Sequence, residues 1–248
     1  MSESTNRSTL LVFTRGAECE TRRRRLLPAR LAALEVALHH RCLDSALAAG
    51  REAGCSIAVS SPVPLSAKTG VHHVPQEGVG IGHRLRTALA RTRREAEGPV
   101  IVVGTDVPGL GCGHLRDAIA RLEEDPQSVV LGPSPDGGFY LLATRQPLDE
   151  VLSGVSWHRP ETLESLLGAL ARAGIRVSLL EPLLDLDRPQ DLAYWASRTA
   201  TSGLWHKIVA LLRRALAALG RPAIPAVLGR PRTPEAVLPS GRAPPLAV

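Results

Sequence analysis

The sequence predicts a three-layer α/β/α domain built on a mostly parallel central sheet, and three observations carry that reading. Short apolar runs rich in β-branched residues alternate with longer segments of helical periodicity, the pattern of a sheet covered by helices on both faces. One run, Val100 to Val103 (V-I-V-V), is apolar at every position, as a strand buried on both faces requires. Asp106 follows it in G-T-D-V-P, which puts a carboxylate at the carboxyl end of a strand, where open α/β sheets bind their ligands. Two readings of Asp106 are open here: it holds a divalent cation, or it caps a turn or the helix beginning near Cys112.

Composition narrows the function classes. A chain of 248 residues with 44% hydrophobic content can bury one sizeable core, and residues 10–200 are expected to form it after a flexible leader, 1–9. Aromatic residues make up 3%, too few for a platform that stacks single-stranded bases. The net charge of +6 is uneven: residues 1–195 carry 22 basic and 23 acidic side chains, and 196–248 carry eight against one. A body without excess positive charge is not built to neutralise a nucleic-acid backbone, so no nucleic acid is expected as a partner. Cys19, Cys42, Cys55 and Cys112 form no C-x-x-C pair and read as free thiols. The polar start lacks the apolar core of a signal peptide, and no apolar run reaches membrane-span length; a cytoplasmic protein is expected.

Taken in order, Leu10 to Phe13 is the first strand. The loop after it, Thr14 to Arg25, ends in four consecutive arginines. Guanidinium groups at a strand's carboxyl end offer phosphates planar bidentate donors, or they form a solvated charge run at a helix start. Ala29 to Ala49 has helical spacing and stops at Gly50; His39 and His40 within it point in different directions, in surface or packing roles. Cys55 to Ser60 is a second strand, and His72 and His73 lie in a V-H-H-V segment read as a structural loop. Q-E-G-V-G-I-G-H-R (76–84) is a glycine-rich loop leading into an arginine-bearing helix, and such glycines let backbone amides approach an anion.

After the central strand come a helix, Leu115 to Glu124, and a strand, Val129 to Leu131. In G-P-S-P-D-G-G-F-Y-L-L (132–142), Asp-Gly signals a hairpin turn; the same loop suits a substrate lying against the glycines while Asp136 accepts its hydroxyl hydrogen bonds. Pro160 opens a helix to about Ala173, and Ile175 to Leu180 is a late strand. In D-L-D-R-P-Q-D-L (185–192), Pro189 and Asp191 suit the first turn of a helix. Asp185 and Asp187 are expected to point to opposite sides, and Asp187 is the one expected to join Asp106. Leu204 to Leu219 is a cationic amphipathic helix within 201–220, suited to a membrane surface, a homodimer seam or a face of the body. Residues 221–248, rich in proline and arginine, are expected to be disordered.

The combination of G-T-D-V-P-G-L (104–110), the 132–142 segment, Trp157 and the 185–192 segment resembles a bacterial family of GT-A-type glycosyltransferase-like proteins of largely unknown function. That family includes arsenosugar-biosynthesis-type glycosyltransferases and is similar in fold to the molybdenum-cofactor and phospholactate guanylyltransferases. The resemblance covers roughly Leu10 to Trp195. It implies a Rossmann-like nucleotide-diphospho-sugar transferase fold with Mg²⁺ or Mn²⁺ on Asp106 and Asp187. It places the nucleotide near Thr14, Arg15, Arg23, Arg25, Gln76, Gly78, Gly82, Arg84, Thr105 and Asp106. It places the substrate near Gly137, Gly138, Phe139 and Trp157, with Asp136 or His158 as base. The chain departs from the family pattern at Arg23-Arg24-Arg25-Leu26, where K-T-R-L is usual, and lacks an acid near Gly80. It has His158 and Arg159 in place of small hydroxyl residues, and Arg188 in place of a threonine. The implied function is metal-dependent transfer of a sugar from a nucleotide sugar to a small-molecule acceptor. Nucleotidyl transfer from a nucleoside triphosphate, guanylyltransferase-like, and a catalytically degenerate binding module are the alternatives.

Overall fold

In the computed structural model, which describes residues 7–64, 70–198, 209–214 and 217, the short apolar runs become seven strands. They are β1 (Thr9–Phe13), β2 (Ser56–Ser61), β3 (His72–Pro75), β4 (Val100–Val103), β5 (Val129–Pro133), β6 (Phe139–Thr144) and β7 (Val177–Leu179). The helices are α1 (Ala17–Arg24), α2 (Ala32–Glu52), α3 (Gly80–Glu95), α4 (Cys112–Glu124), α5 (Asp149–Ser153), α6 (Thr162–Arg172) and α7 (Pro189–Arg198). One sheet takes the order β3-β2-β1-β4-β6-β5-β7, and only β6 runs against its neighbours, β4 and β5. The expected layered, mostly parallel fold is the fold observed.

Period-two alternation explains the all-apolar strands. Leu10 and Val12 of β1, with Ile101 and Val103 of β4, enter a core shared with α2 and α4. Leu11, Val100 and Val102 enter the core on the other face, with α3, α5 and α6. Each fully buried Leu, Ile or Val contributes about 1.5–3 kcal/mol relative to exposure, so the two central strands anchor both layers. A third cluster, off the sheet, joins Leu26, Leu38, Leu186, Leu192 and Trp195 to Val209 and Leu212.

Several local expectations change. Gly50 does not stop a helix. It lies inside α2, where a Cβ would stand 2.5 Å from Leu10 Cδ2 and 2.7 Å from Ile57 Cδ1, so the missing side chain lets the helix approach the sheet. The V-H-H-V segment is the edge strand β3, with His73 Nε2 at 3.1 Å from the Ser61 carbonyl. The arginine-rich stretch is α1, and Arg25 leaves it in a left-handed conformation, φ 49°. Arg7, Ser8 and Thr9 were assigned to the leader, yet Arg7 Nε donates to the Gly54 carbonyl at 2.9 Å and Thr9 begins β1. The leader's first six residues, most of 201–220 and all of 221–248 lie outside the described residues.

The described part of the C-terminal amphipathic segment, 209–214, packs on the body. Val209 and Leu212 are buried, and Arg213 Nε donates to the Ala196 carbonyl at 2.6 Å. Leu211, placed by its spacing on the same apolar arc, is exposed. Among the described residues no helix is long and apolar enough to cross a membrane.

Gly50→Val is expected to lower stability by about 1–3 kcal/mol through overpacking against β1 and β2, read as a lower denaturant midpoint with an unchanged m-value.

Candidate functional site

The site forms where the carboxyl ends of β1 and β4 meet the amino end of antiparallel β6. β1 feeds Thr14 to Gly16 and α1, β4 feeds Gly104 to Asp106, and the turn before β6 carries Asp136. The chain after β7 then runs along this edge: Leu180 N–H donates to Leu131 O, Leu183 N–H to Pro133 O and Leu186 N–H to Asp106 O at 2.9 Å. That path carries Asp185 and Asp187 to the space between Asp136 and Asp106. A cleft of about 330 Å³ results.

Three carboxylates converge in it. Oxygens of Asp136, Asp185 and Asp187 all lie within 4.8 Å of one another. Residues i and i+2 of an extended segment share a face: Leu186 turns into the third cluster, and Asp185 and Asp187 flank it on the other side. Both aspartates therefore reach the group, against the expectation that only Asp187 would. Burial, then the charges of Asp136, Asp106 and Asp187, push the Asp185 carboxyl up to about 8. Asp187 is also raised, by burial and then by Asp106, against the pull of Arg24 and Arg23. Crowded oxygen donors of this kind suit a hard divalent cation such as Mg²⁺ or Mn²⁺. Asp187 Oδ1 is shut off from water without a hydrogen bond and is met by the charges of Arg24 and Arg23.

Asp106, expected at the metal and the nucleotide, lines the cleft and is paired with an arginine. Arg24 Nη2 donates to Asp106 Oδ2 at 2.7 Å, and Arg24 Nε lies 3.2 Å from Asp187 Oδ1 and 3.5 Å from Glu20 Oε2. Burial works against the Arg24 charge, and Asp106, Glu20 and Asp187 outweigh it, leaving its pKa above the ordinary arginine value. Arg24 is thus the arginine at the heart of the site, a residue the sequence reading passed over for its neighbours. Its signal was Glu20, four residues earlier on the same face of a helix. Arg23 also reaches the cleft, 3.6 Å from Asp187 Oδ1. Arg25 does not: its Nε turns back to the Arg22 carbonyl, at 3.4 Å.

The other expected nucleotide contacts divide. Arg15 and Thr105 line the cleft. Thr14 is buried behind it, with Thr105 Oγ1 at 3.2 Å and His39 Nε2 at 3.2 Å from its hydroxyl. Gln76 Nε2 ties the ends of β1 and β2 by donating to Thr14 O at 2.8 Å and Ser60 O at 3.0 Å. Gly78 accepts from Arg84 Nε, and neither residue lines the cleft; α3 contributes Ile81 and Leu85 instead. Gly82 makes room for Trp157, whose Nε1 would stand 2.2 Å from a Cβ there.

At the opposite end, Gly138, Phe139 and Trp157 line the cleft, with the two aromatic rings edge to face at 6.2 Å. Gly137 is a packing residue: at φ +91° a Cβ would lie 1.7 Å from the Pro160 carbonyl oxygen. His158 is exposed at the mouth with φ 58°, a costly conformation for a residue with a side chain. Desolvation, then Arg23 and Arg15, hold its imidazole below the ordinary histidine range.

A family model described as an uncharacterized protein conserved in bacteria, DUF2064, matches residues 27–159, more than half of the chain. The chain belongs to this family. The match takes in Asp106, the 132–138 turn and Trp157, whereas Arg24, Asp185 and Asp187 of this DUF2064 protein lie outside it. A comparison with curated proteins found no match. Among solved structures it is similar to a protein of Desulfovibrio desulfuricans G20 provisionally described as a nucleotide-diphospho-sugar transferase, at 21% identity and TM-score 0.70, covering 86% of this chain and 96% of the other. It is also similar to a 4-diphosphocytidyl-2C-methyl-D-erythritol synthase, at 13% identity and TM-score 0.52, covering 84% and 98%. These likenesses establish the fold.

His39 supplies a pH test of the packing behind the site. Burial, then Arg24, lower its pKa from 6.5 to about 4, so the folded state favours the neutral ring. The corresponding stability is complete above pH 6.5 and is lost as pH falls toward 4, about 3 kcal/mol in all. In urea titrations across that window, His39→Gln is expected to lose less stability than the parent by roughly that amount.

Proposed function

We propose that this DUF2064 protein transfers a sugar from a nucleotide-diphospho donor to the hydroxyl of a small acceptor. One observation carries the reading: a single cleft brings Arg15, Arg23 and Arg24 together with the Asp136, Asp185 and Asp187 group, Arg24 Nε lying 3.2 Å from Asp187 Oδ1. A diphosphate leaving group gathers negative charge as the glycosidic bond breaks, and fixed guanidiniums stabilise that charge without reorganising. A divalent cation held by Asp136, Asp185 and Asp187 would supply further charge neutralisation at the phosphates.

The residues beside this group suit the sugar and the acceptor. Gly138 presents bare backbone, and Phe139 and Trp157 give an apolar wall against which a pyranose face can lie. His158, kept neutral, can accept the proton of the attacking hydroxyl; Asp136, whose Oδ1 takes the Gly138 N–H at 2.9 Å, is the other acceptor in reach. The shared fold with a protein provisionally described as a nucleotide-diphospho-sugar transferase supports this assignment. Three guanidiniums in one cleft also suit a triphosphate, which makes nucleotidyl transfer with release of pyrophosphate the second reading.

The test is thermal stability with Mn²⁺ or Mg²⁺ and a panel of nucleotide sugars and nucleoside triphosphates. A nucleotide sugar at about 100 times its Kd stabilises by about 2.7 kcal/mol, raising Tm by roughly 5–10 °C. This shift is expected only with the cation, and to vanish in Asp185→Asn. That variant keeps its fold: without metal, ionised Asp185 costs stability as pH rises from about 4 to 8, and the amide removes that cost. A shift confined to triphosphates, with pyrophosphate released, moves the assignment to the second reading; no shift with any nucleotide overturns both.

A further inference from the structure

Five arginines line the cleft, and their surroundings differ. Arg23 and Arg24 sit on the carboxylates of Glu20, Asp106 and Asp187. Arg15, Arg159 and Arg188 make no side-chain hydrogen bond or ion pair among the described residues. A lone exposed arginine needs no partner, because water solvates it. Three lining one cleft are different: their guanidinium donors are not taken up by the protein, and an entering anion can accept from them.

The three do not serve one ligand group. Arg15 follows the carboxyl end of β1, just before the helix that carries Arg23 and Arg24, and is the one of the three assigned above to the donor phosphates. Arg159 stands two residues after Trp157, in the segment whose Pro160 carbonyl packs beneath Gly137 of the Asp136 turn. Arg188 follows Asp187 directly, with its backbone N–H on Asp191 Oδ2 at 2.8 Å; its charge also acts on Asp191. Both belong to the side of the cleft that carries Asp136, Asp185 and His158, where the attacking hydroxyl is placed.

A neutral acceptor leaves these two guanidiniums nothing to bind, whereas a phosphate or carboxylate matches their planar donors. We infer that the acceptor is a small acid, a hydroxyl compound bearing a phosphate or carboxylate that Arg159 and Arg188 hold while its hydroxyl faces the carboxylate group. This inference rests on the transferase reading above. Discrimination follows from it: an acceptor without the anion forfeits charge-assisted hydrogen bonds that place the hydroxyl.

Calorimetric titration of the full chain tests the assignment in about 50 mM salt, where charge pairing is weakly screened. The probes are 3-phosphoglycerate, which carries a hydroxyl with both anions, inorganic phosphate, and a nucleoside diphosphate with Mn²⁺. The double variant Arg159→Gln/Arg188→Gln is expected to bind 3-phosphoglycerate and phosphate at least about tenfold more weakly, with nucleoside diphosphate affinity within about twofold of the parent. Arg15→Gln is expected to show the reverse preference. Unchanged probe binding in the double variant overturns the inference, as does failure of the parent to bind either anion. Equal loss of nucleotide and probes also overturns it, because the two arginines then serve the donor. If the parent binds the probes but no nucleotide, and the double variant loses the probes, the anion site stands and the transferase reading falls.

Discussion

The Arg24 guanidinium, packed among Glu20, Asp106 and Asp187, is the interaction on which the site depends. It joins α1, the loop after β4 and the strap after β7, three pieces far apart in sequence. One arginine serves three acids, Glu20 nearly buried and Asp106 and Asp187 partly exposed. The strap is held from its other side by Leu186, whose backbone N–H bonds Asp106 and whose side chain is buried with Leu192 and Trp195. Polar pairing and apolar burial thus fix the same few residues, so the geometry of Asp185 and Asp187 follows from the packing of α7 and 209–214.

Arg24 does not balance the whole site. Asp185 is left among like charges, which raises its pKa, and Asp187 Oδ1 lacks a hydrogen bond. Folding here accepts a local cost that a cation or substrate would remove, as functional sites commonly do. The strained backbone at His158 belongs to the same pattern. The same cleft is lined by Arg15, Arg159 and Arg188, whose guanidiniums make no ion pair among the described residues.

Much of the fold was legible in the residues. The apolar runs at 10–13, 55–60, 100–103 and 129–131 became β1, β2, β4 and β5 because both sheet faces are covered, and continuous apolar sequence has few other uses. Asp-Gly-Gly made the hairpin, and Pro189 with Asp191 opened α7. Helix starts and stops were less legible: Gly50 is a contact with the sheet instead of a stop, and the arginine run closes a helix whose last residue, Arg24, is the one that matters.

The sequence by itself determined the layered architecture, the acid at the end of the central strand and the absence of a basic body, since these follow from local pattern and composition. Tertiary structure alone decided which acids meet. Asp185 joins Asp187 because both flank Leu186, which pins the extended strap, and the acids they meet are set by where that strap crosses the sheet edge. It also paired Asp106 with Arg24, a choice made by distances between segments 82 residues apart. Charge pairing at that separation depends on how the chain folds back on itself, which residue order does not display.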